Sequence, residues 1–164
     1  MLSCHELFGF MPPATAAEIL EYAYHSDKEI YRATLKAVAD ARKVRPVFFE
    51  RKPRADRHKD MLAMLSSPRL EEVAATLLRT WLTKTQTPMI VEFLSSLGIN
   101  HKEGVVDDFP PEMDDAKLKA AVDNLLAKYP AEKVAVYLNT LSATSVSWEN
   151  LRKMLEQEQR LHLA

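Results

Sequence analysis

The chain has 164 residues, 47% of them hydrophobic and 27% charged, with a formal net charge of −1. That length suits a single domain burying about 70% of its unfolded surface, and near-neutrality excludes a polyelectrolyte that chooses partners by overall charge. Three glycines are too few for a fold of tight β-hairpins, whose turns need positive φ, and they leave no Gly-rich phosphate loop.

Residues 1–13, "MLSCHELFGFMPP", lack a basic stretch followed by a long apolar one, so no secretory signal is expected, and the segment is expected to be loosely ordered. Cys4 is the single cysteine. One chain therefore holds no internal disulfide and no thiolate cluster, which fits a reducing compartment. "TAAE" at 15–18 reads as a capping box, Thr15 at the N-cap with Glu18 reaching back, and starts a first helix with Ile19, Leu20 and Ala23 inward. "SDKE" at 26–29 repeats the signal and starts a second helix at Ser26. Its stripe is Ile30/Tyr31, Thr34/Leu35, Val38 and Ala41, and Pro46 ends it.

After a possible extended "VFF" at 47–49, a short third helix follows Pro53 and carries Met61, Leu62 and Leu65. "SP" at 67–68 supplies an N-cap and a proline at N1 for a stripe of Leu70, Val73, Ala74, Leu77, Leu78 and Trp81. "TP" at 87–88 repeats that pattern ahead of Ile90, Phe93, Leu94 and Leu97, and Gly98 fits a left-handed C-cap. Residues 99–114 read as a long acidic loop. Beyond it, "DDAKLKAAVDNLLAKY" and "PAEKVAVYLNTL" are helical, the second with Pro130 at N1. A last helix from about Ser147 carries Trp148, Leu151 and Leu155.

Leu70, Ala74, Leu77 and Leu78 match Leu118, Val122, Leu125 and Leu126 at a constant offset. Ile90, Phe93, Leu94 and Leu97 match Val134, Tyr137, Leu138 and Leu141 at a slightly smaller one. The pattern predicts one all-α domain over 1–164, with seven to eight helices and no significant sheet. It is either a right-handed, HEAT-like array of stacked αα-hairpins or an irregular multi-helix bundle. No segment reaches the roughly 18 uninterrupted apolar residues of a membrane span, so the expectation is a cytoplasmic protein with no membrane partner.

Charge is polarised along the chain. Arg42, Lys43, Arg45, Arg51, Lys52, Arg54, Arg57 and Lys59 face two acids, Glu50 and Asp56, over 42–59, with His58 among them. Residues 103–115 hold Glu103, Asp107, Asp108, Glu112, Asp114 and Asp115 and no lysine or arginine. The eight cations are the candidate binding surface. They could neutralise nucleic-acid phosphates with Phe48 or Phe49 as a stacking face, or meet the acidic loop within a chain or across a dimer. The plainest reading is a solvated face whose ion pairs contribute about 0–1 kcal/mol each. Adjacent aromatics diverge, so at least one is expected in the core.

Catalytic signals are sparse. Glu18, Glu21 and His25 share a helix face, but HExxH, ExxH and CxxC are absent, as are GxSxG and SxxK. Ser66/Ser67 and Ser95/Ser96 lie at helix ends, where serines cap. Glu71/Glu72 and Asp114/Asp115 fall in first helical turns, where negative charge complements the helix dipole. No catalytic residue, cofactor or metal is expected. The predicted function is a non-enzymatic helical protein-interaction module, with an unidentified protein partner or a second copy. The alternatives are weak, sequence-non-specific nucleic-acid binding through 42–59 and an enzyme without recognisable motifs.

Overall fold

A computed structural model describes residues 1–163, and among these there are ten α-helices and no strand. They are α1 (Cys4–Phe10), α2 (Pro13–Ser26), α3 (Lys28–Ala41), α4 (Val47–Glu50), α5 (Arg54–Leu65), α6 (Glu71–Thr85), α7 (Thr87–Ser96), α8 (Asp115–Lys128), α9 (Ala131–Thr144) and α10 (Glu149–Gln157). Two 3-10 turns, Pro68–Leu70 and Gln159–Leu161, complete the order. The expected seven to eight helices fall short by α1 and α4, which are seven and four residues long. α4 is too short to show a 3.6-residue period, whereas α1 carries one in Cys4, Leu7, Phe8 and Met11, behind a capping box in which the Ser3 N–H donates to Glu6 Oε2 at 2.8 Å. The extended reading of 47–49 is overturned by α4.

The chain divides into two compact units. The first, Ser3–Trp81, holds α1 to α5 and the start of α6. Its core includes Leu7, Ile19, Leu20, Val38, Met61, Leu65, Leu77 and Leu78, all fully buried. α5 packs on α1, α2 and α3, and α2 packs on α3 across the single residue Asp27. The amino-terminal segment is not loose: α1 buries Cys4, Leu7 and Phe8, and Glu71 of α6 accepts bonds from the Cys4 and His5 N–H groups at 2.9 and 2.8 Å. A remote carboxylate thus satisfies donors that a helix start leaves open.

The second unit comprises Met1–Leu2 and Leu82–Ala164. α7 packs on α8, α8 on α9 and α9 on α10. Phe93, Leu118, Leu125, Val134, Leu138 and Leu151 are fully buried. Leu126, expected in the core, is half-buried, and Ala121 turns inward instead. Residues 99–114 are non-helical, and the second half is pinned by side chains. Trp148 Nε1 donates to the Pro110 carbonyl at 2.8 Å, and Asn150 Nδ2 donates to the Met113 carbonyl and Asp115 Oδ1, both at 2.7 Å.

Several caps differ by a residue or more from the sequence reading. α2 starts at Pro13, and Thr15 is buried within it. Tandem prolines with pre-set φ move the N-cap to Pro12, three residues earlier than the Thr15 hydroxyl would. Asp27, not Ser26, caps α3, accepting from Ile30 N–H at 3.1 Å. Thr87 turns its hydroxyl back to the Thr83 carbonyl at 2.6 Å, leaving Gln86 at the N-cap of α7. Gly98 behaves as expected: its φ is +70°, and the Gly98 and Ile99 amides donate to Ser95 and Leu94 carbonyls, the paired bonds of a Schellman cap.

Candidate functional site

The basic segment begins where α3 stops. Lys43 has φ +57°, and the Lys43 and Val44 amides donate to the Asp40 and Ala39 carbonyls at 3.1 and 3.0 Å. This is a Schellman cap with lysine in the left-handed position that glycine usually takes. The reversal leads into α4, whose single turn splits the two phenylalanines: Phe49 is 2% exposed and Phe48 59%. Phe49 is core, as one of the pair was expected to be. Phe48 projects outward, with Val44 and Val47 also exposed nearby in sequence.

The eight cations separate into two groups. Arg42 and Lys52 pair with Asp60, Arg42 at 3.9 Å, and both lie against the Phe49 ring, at 5.9 and 5.5 Å from its centroid. Arg54 Nε meets Glu21 Oε1 at 3.4 Å and its guanidinium lies 4.7 Å from the Tyr24 centroid. Arg57 sits 5.7 Å from both Tyr24 and Tyr31 centroids. These four are therefore engaged in packing their own unit. Lys43, Arg45 and Arg51 are exposed and form no ion pair among the described residues. Lys59 is exposed beside Asp60, whose carboxyl is held below the usual range chiefly by the Lys52 bond.

Beneath Arg54 and Arg57 lies a polar cluster that spacing alone does not reveal. His58 is 6% exposed. Its Nε2 lies 2.8 Å from the Tyr31 hydroxyl and its Nδ1 3.4 Å from Glu21 Oε1. A neutral ring with its proton on Nδ1 meets both neighbours, and burial holds the His58 pKa below its ordinary value, against the pull of Glu21. Burial likewise raises the Tyr31 phenol. Glu21 also accepts from His25 Nε2 at 3.0 Å, so one carboxylate serves His25, Arg54 and His58. The Glu21–His25 pair was legible as an i, i+4 spacing. His58 and Tyr31, which come from α5 and α3, were not.

Tyr24, His25, Lys28, Tyr31, Arg32 and Arg57 line a cleft of about 490 Å³ above this cluster, together with Leu35 and Glu50. The Tyr24 and Tyr31 rings meet edge-to-face at 5.3 Å.

The remaining nucleophile and base candidates are used structurally. Burial, and then the Glu71 carboxylate, push the Cys4 thiol up to about 12, so it stays protonated at neutral pH. His101 Nδ1 accepts from the Gly104 amide at 3.2 Å, which places its proton on Nε2, 3.0 Å from the Ser95 hydroxyl. That tautomer donates to Ser95 and cannot take its proton. Among the described residues, no three His, Cys, Asp or Glu side chains converge as metal ligands, and no helix is long and apolar enough to cross a membrane. Trp81 and Trp148 are core. Comparison with family models, curated proteins and solved structures finds no match for this chain.

Proposed function

We propose that the chain is a non-enzymatic helical protein-interaction module that docks an acidic protein surface on the face around Phe48. The observation that carries this reading is the exposed Phe48 ring, with Val44 and Val47 exposed beside it in sequence and Lys43, Arg45 and Arg51 unpaired. Aromatic and arginine side chains are enriched at protein interfaces and dominate their energetics. Exposed apolar area rimmed by charge is what a partner covers. A second copy supplies a matching surface: Glu103, Asp107, Asp108 and Glu112 are exposed and make no ion pair among the described residues. Asp114 and Asp115 are already committed, to the α8 cap and to Asn150.

The succession of contacts from α7 to α10 supports stacked hairpins in the second unit. The seating of α5 on three helices supports the irregular bundle in the first.

Sedimentation velocity between about 5 and 500 μM, at about 50 and 300 mM salt, tests the proposal. Salt-sensitive dimerisation, lost in F48A and in the reversal K43E/R45E/R51E, supports it. A monomer throughout removes the second copy as the docked surface. If that monomer binds short DNA or RNA at low salt, and the reversal abolishes the binding, the nucleic-acid alternative takes its place, with log K falling against log salt.

A further inference from the structure

The cleft between α2, α3, α4 and α5 is lined by none of the residues of the Phe48 face, although Glu50 shares α4 with Phe48, and it has a chemistry of its own. Its polar side chains include three cations, Lys28, Arg32 and Arg57, against one carboxylate, Glu50. Lys28 and Arg32 form no ion pair among the described residues. Of the acids close by in sequence, Glu21 has its oxygens on His25, Arg54 and His58 and Asp27 caps α3, while Glu29, between Lys28 and Arg32, is exposed and does not line the cleft. Arg57 is held against the two tyrosine rings, and its Nη1 contacts the Glu50 carbonyl at 3.4 Å. Its Nε is buried with no hydrogen-bond partner.

We propose that this cleft binds a small phosphorylated organic molecule, its phosphate held by Arg57, Arg32 and Lys28 and its organic body against Tyr24, Tyr31 and Leu35. A phosphate monoester carries about −1.5 to −2 charges at neutral pH, which matches the local surplus of cations better than a single carboxylate does. Arginine's fork offers paired donors to phosphate oxygens, and lysine adds a mobile point charge. The cleft is far larger than a bare phosphate needs and falls within the range of small-ligand sites, about 300–1,000 Å³. The buried Tyr31 and Leu35 give it an apolar wall, so the organic body contributes as well as the anion. This site does not require the Phe48 face to bind anything.

Phenyl phosphate is the probe, titrated at about 50 mM salt into the full chain and followed by calorimetry and by NMR of the tyrosine and histidine side chains. The expected result is saturable binding that shifts Tyr24, His25 and Tyr31 signals. The exposed-site variant K28Q/R32Q, which touches no core residue, is expected to lower affinity about tenfold or more, as for loss of charge-assisted bonds. R57K, retaining charge but not the fork, is also expected to weaken binding. Inorganic phosphate is expected to bind more weakly than phenyl phosphate, and benzoate more weakly again. No binding at about 10 mM overturns the proposal, as does equal binding of benzoate, or an affinity unchanged in K28Q/R32Q while its circular dichroism remains native. K28Q/R32Q is expected to keep any self-association, and F48A to keep phenyl phosphate binding, so the two proposals fail separately.

Discussion

Beyond the burial of Cys4, Leu7 and Phe8, one polar side chain ties α1 to its unit. Glu71, at the start of α6, accepts from Cys4 N–H at 2.9 Å, from His5 N–H at 2.8 Å and from His5 Nδ1 at 2.5 Å. Glu71→Ala removes these acceptors together. Loss of a helix cap costs about 0.5–2 kcal/mol. The His5 contact adds less than a buried pair would, because the carboxylate side chain is 34% exposed and solvent screens it. The expected loss is therefore about 1–3 kcal/mol in the amino-terminal unit. Burial alone would raise the Glu71 pKa, but the bonds from His5 and Cys4 outweigh it and hold it below the ordinary value. A depressed carboxylate pKa contributes stability above the unfolded value, about 4.3. That contribution fades as pH falls through the lower folded value. Urea unfolding followed by circular dichroism measures the global change, and hydrogen exchange at Leu7 to Phe10 measures the local one. Glu72→Gln, at an exposed neighbour, is the near-neutral control. If Glu71→Ala changes stability by less than about 0.5 kcal/mol and leaves α1 protection intact, α1 is held by Leu7 and Phe8 packing alone and the capping argument fails.

Leu125→Ala, at a fully buried position, is expected to cost about 2–5 kcal/mol in thermal or denaturant unfolding, and a change under about 1 kcal/mol would contradict its core placement. Tyr31→Phe leaves His58 Nε2 buried without its partner and is expected to cost about 1–3 kcal/mol. Because burial depresses the His58 pKa, the unfolded chain takes up the proton first. His58 is expected to favour folding fully above about pH 6.5 and progressively less as pH falls below it. A pH series of unfolding midpoints, compared with His58→Gln, isolates that slope. Gly104→Ala combines φ +87° with a Cβ only 3.0 Å from Ile90 Cγ2, whereas Gly98→Ala has φ +70° and open space. Both are expected to lose about 1–2 kcal/mol from left-handed strain, and Gly104→Ala more, by the clash. Lys43→Gly relieves the same strain at φ +57° and is expected to stabilise by up to about 1 kcal/mol.

The apolar stripes by themselves determined that this chain is helical. Leu70, Leu77, Leu78 and Trp81 recur at a period that only a helix brings to one face, and the same holds for Ile90, Phe93 and Leu94. The adjacency of Phe48 and Phe49 placed at least one of them in the core, and Phe49 is buried, although a helical turn rather than an extended segment separates them. Position at helix ends was less legible, because hydroxyls, carboxylates and prolines compete for the same few backbone groups: Pro13 outbid Thr15, and Asp27 displaced Ser26. α1 was legible in principle, in the spacing of Cys4, Leu7, Phe8 and Met11 and in Ser3 with Glu6 as a capping box, but the Glu71 carboxylate that also meets its first amides lies more than sixty residues away. Only the tertiary structure decided which charges are free. Eight cations between 42 and 59 look alike in sequence, yet Arg42, Lys52 and Arg54 are paired with Asp60 and Glu21, and Arg57 is held against two tyrosine rings with no carboxylate partner among the described residues. Lys28 and Arg32, outside that segment, join Arg57 in a cleft. Local pattern sets the backbone because its hydrogen bonds close within four residues. A charged side chain's partner is chosen by which helix packs beside it, and that is a property of the whole fold.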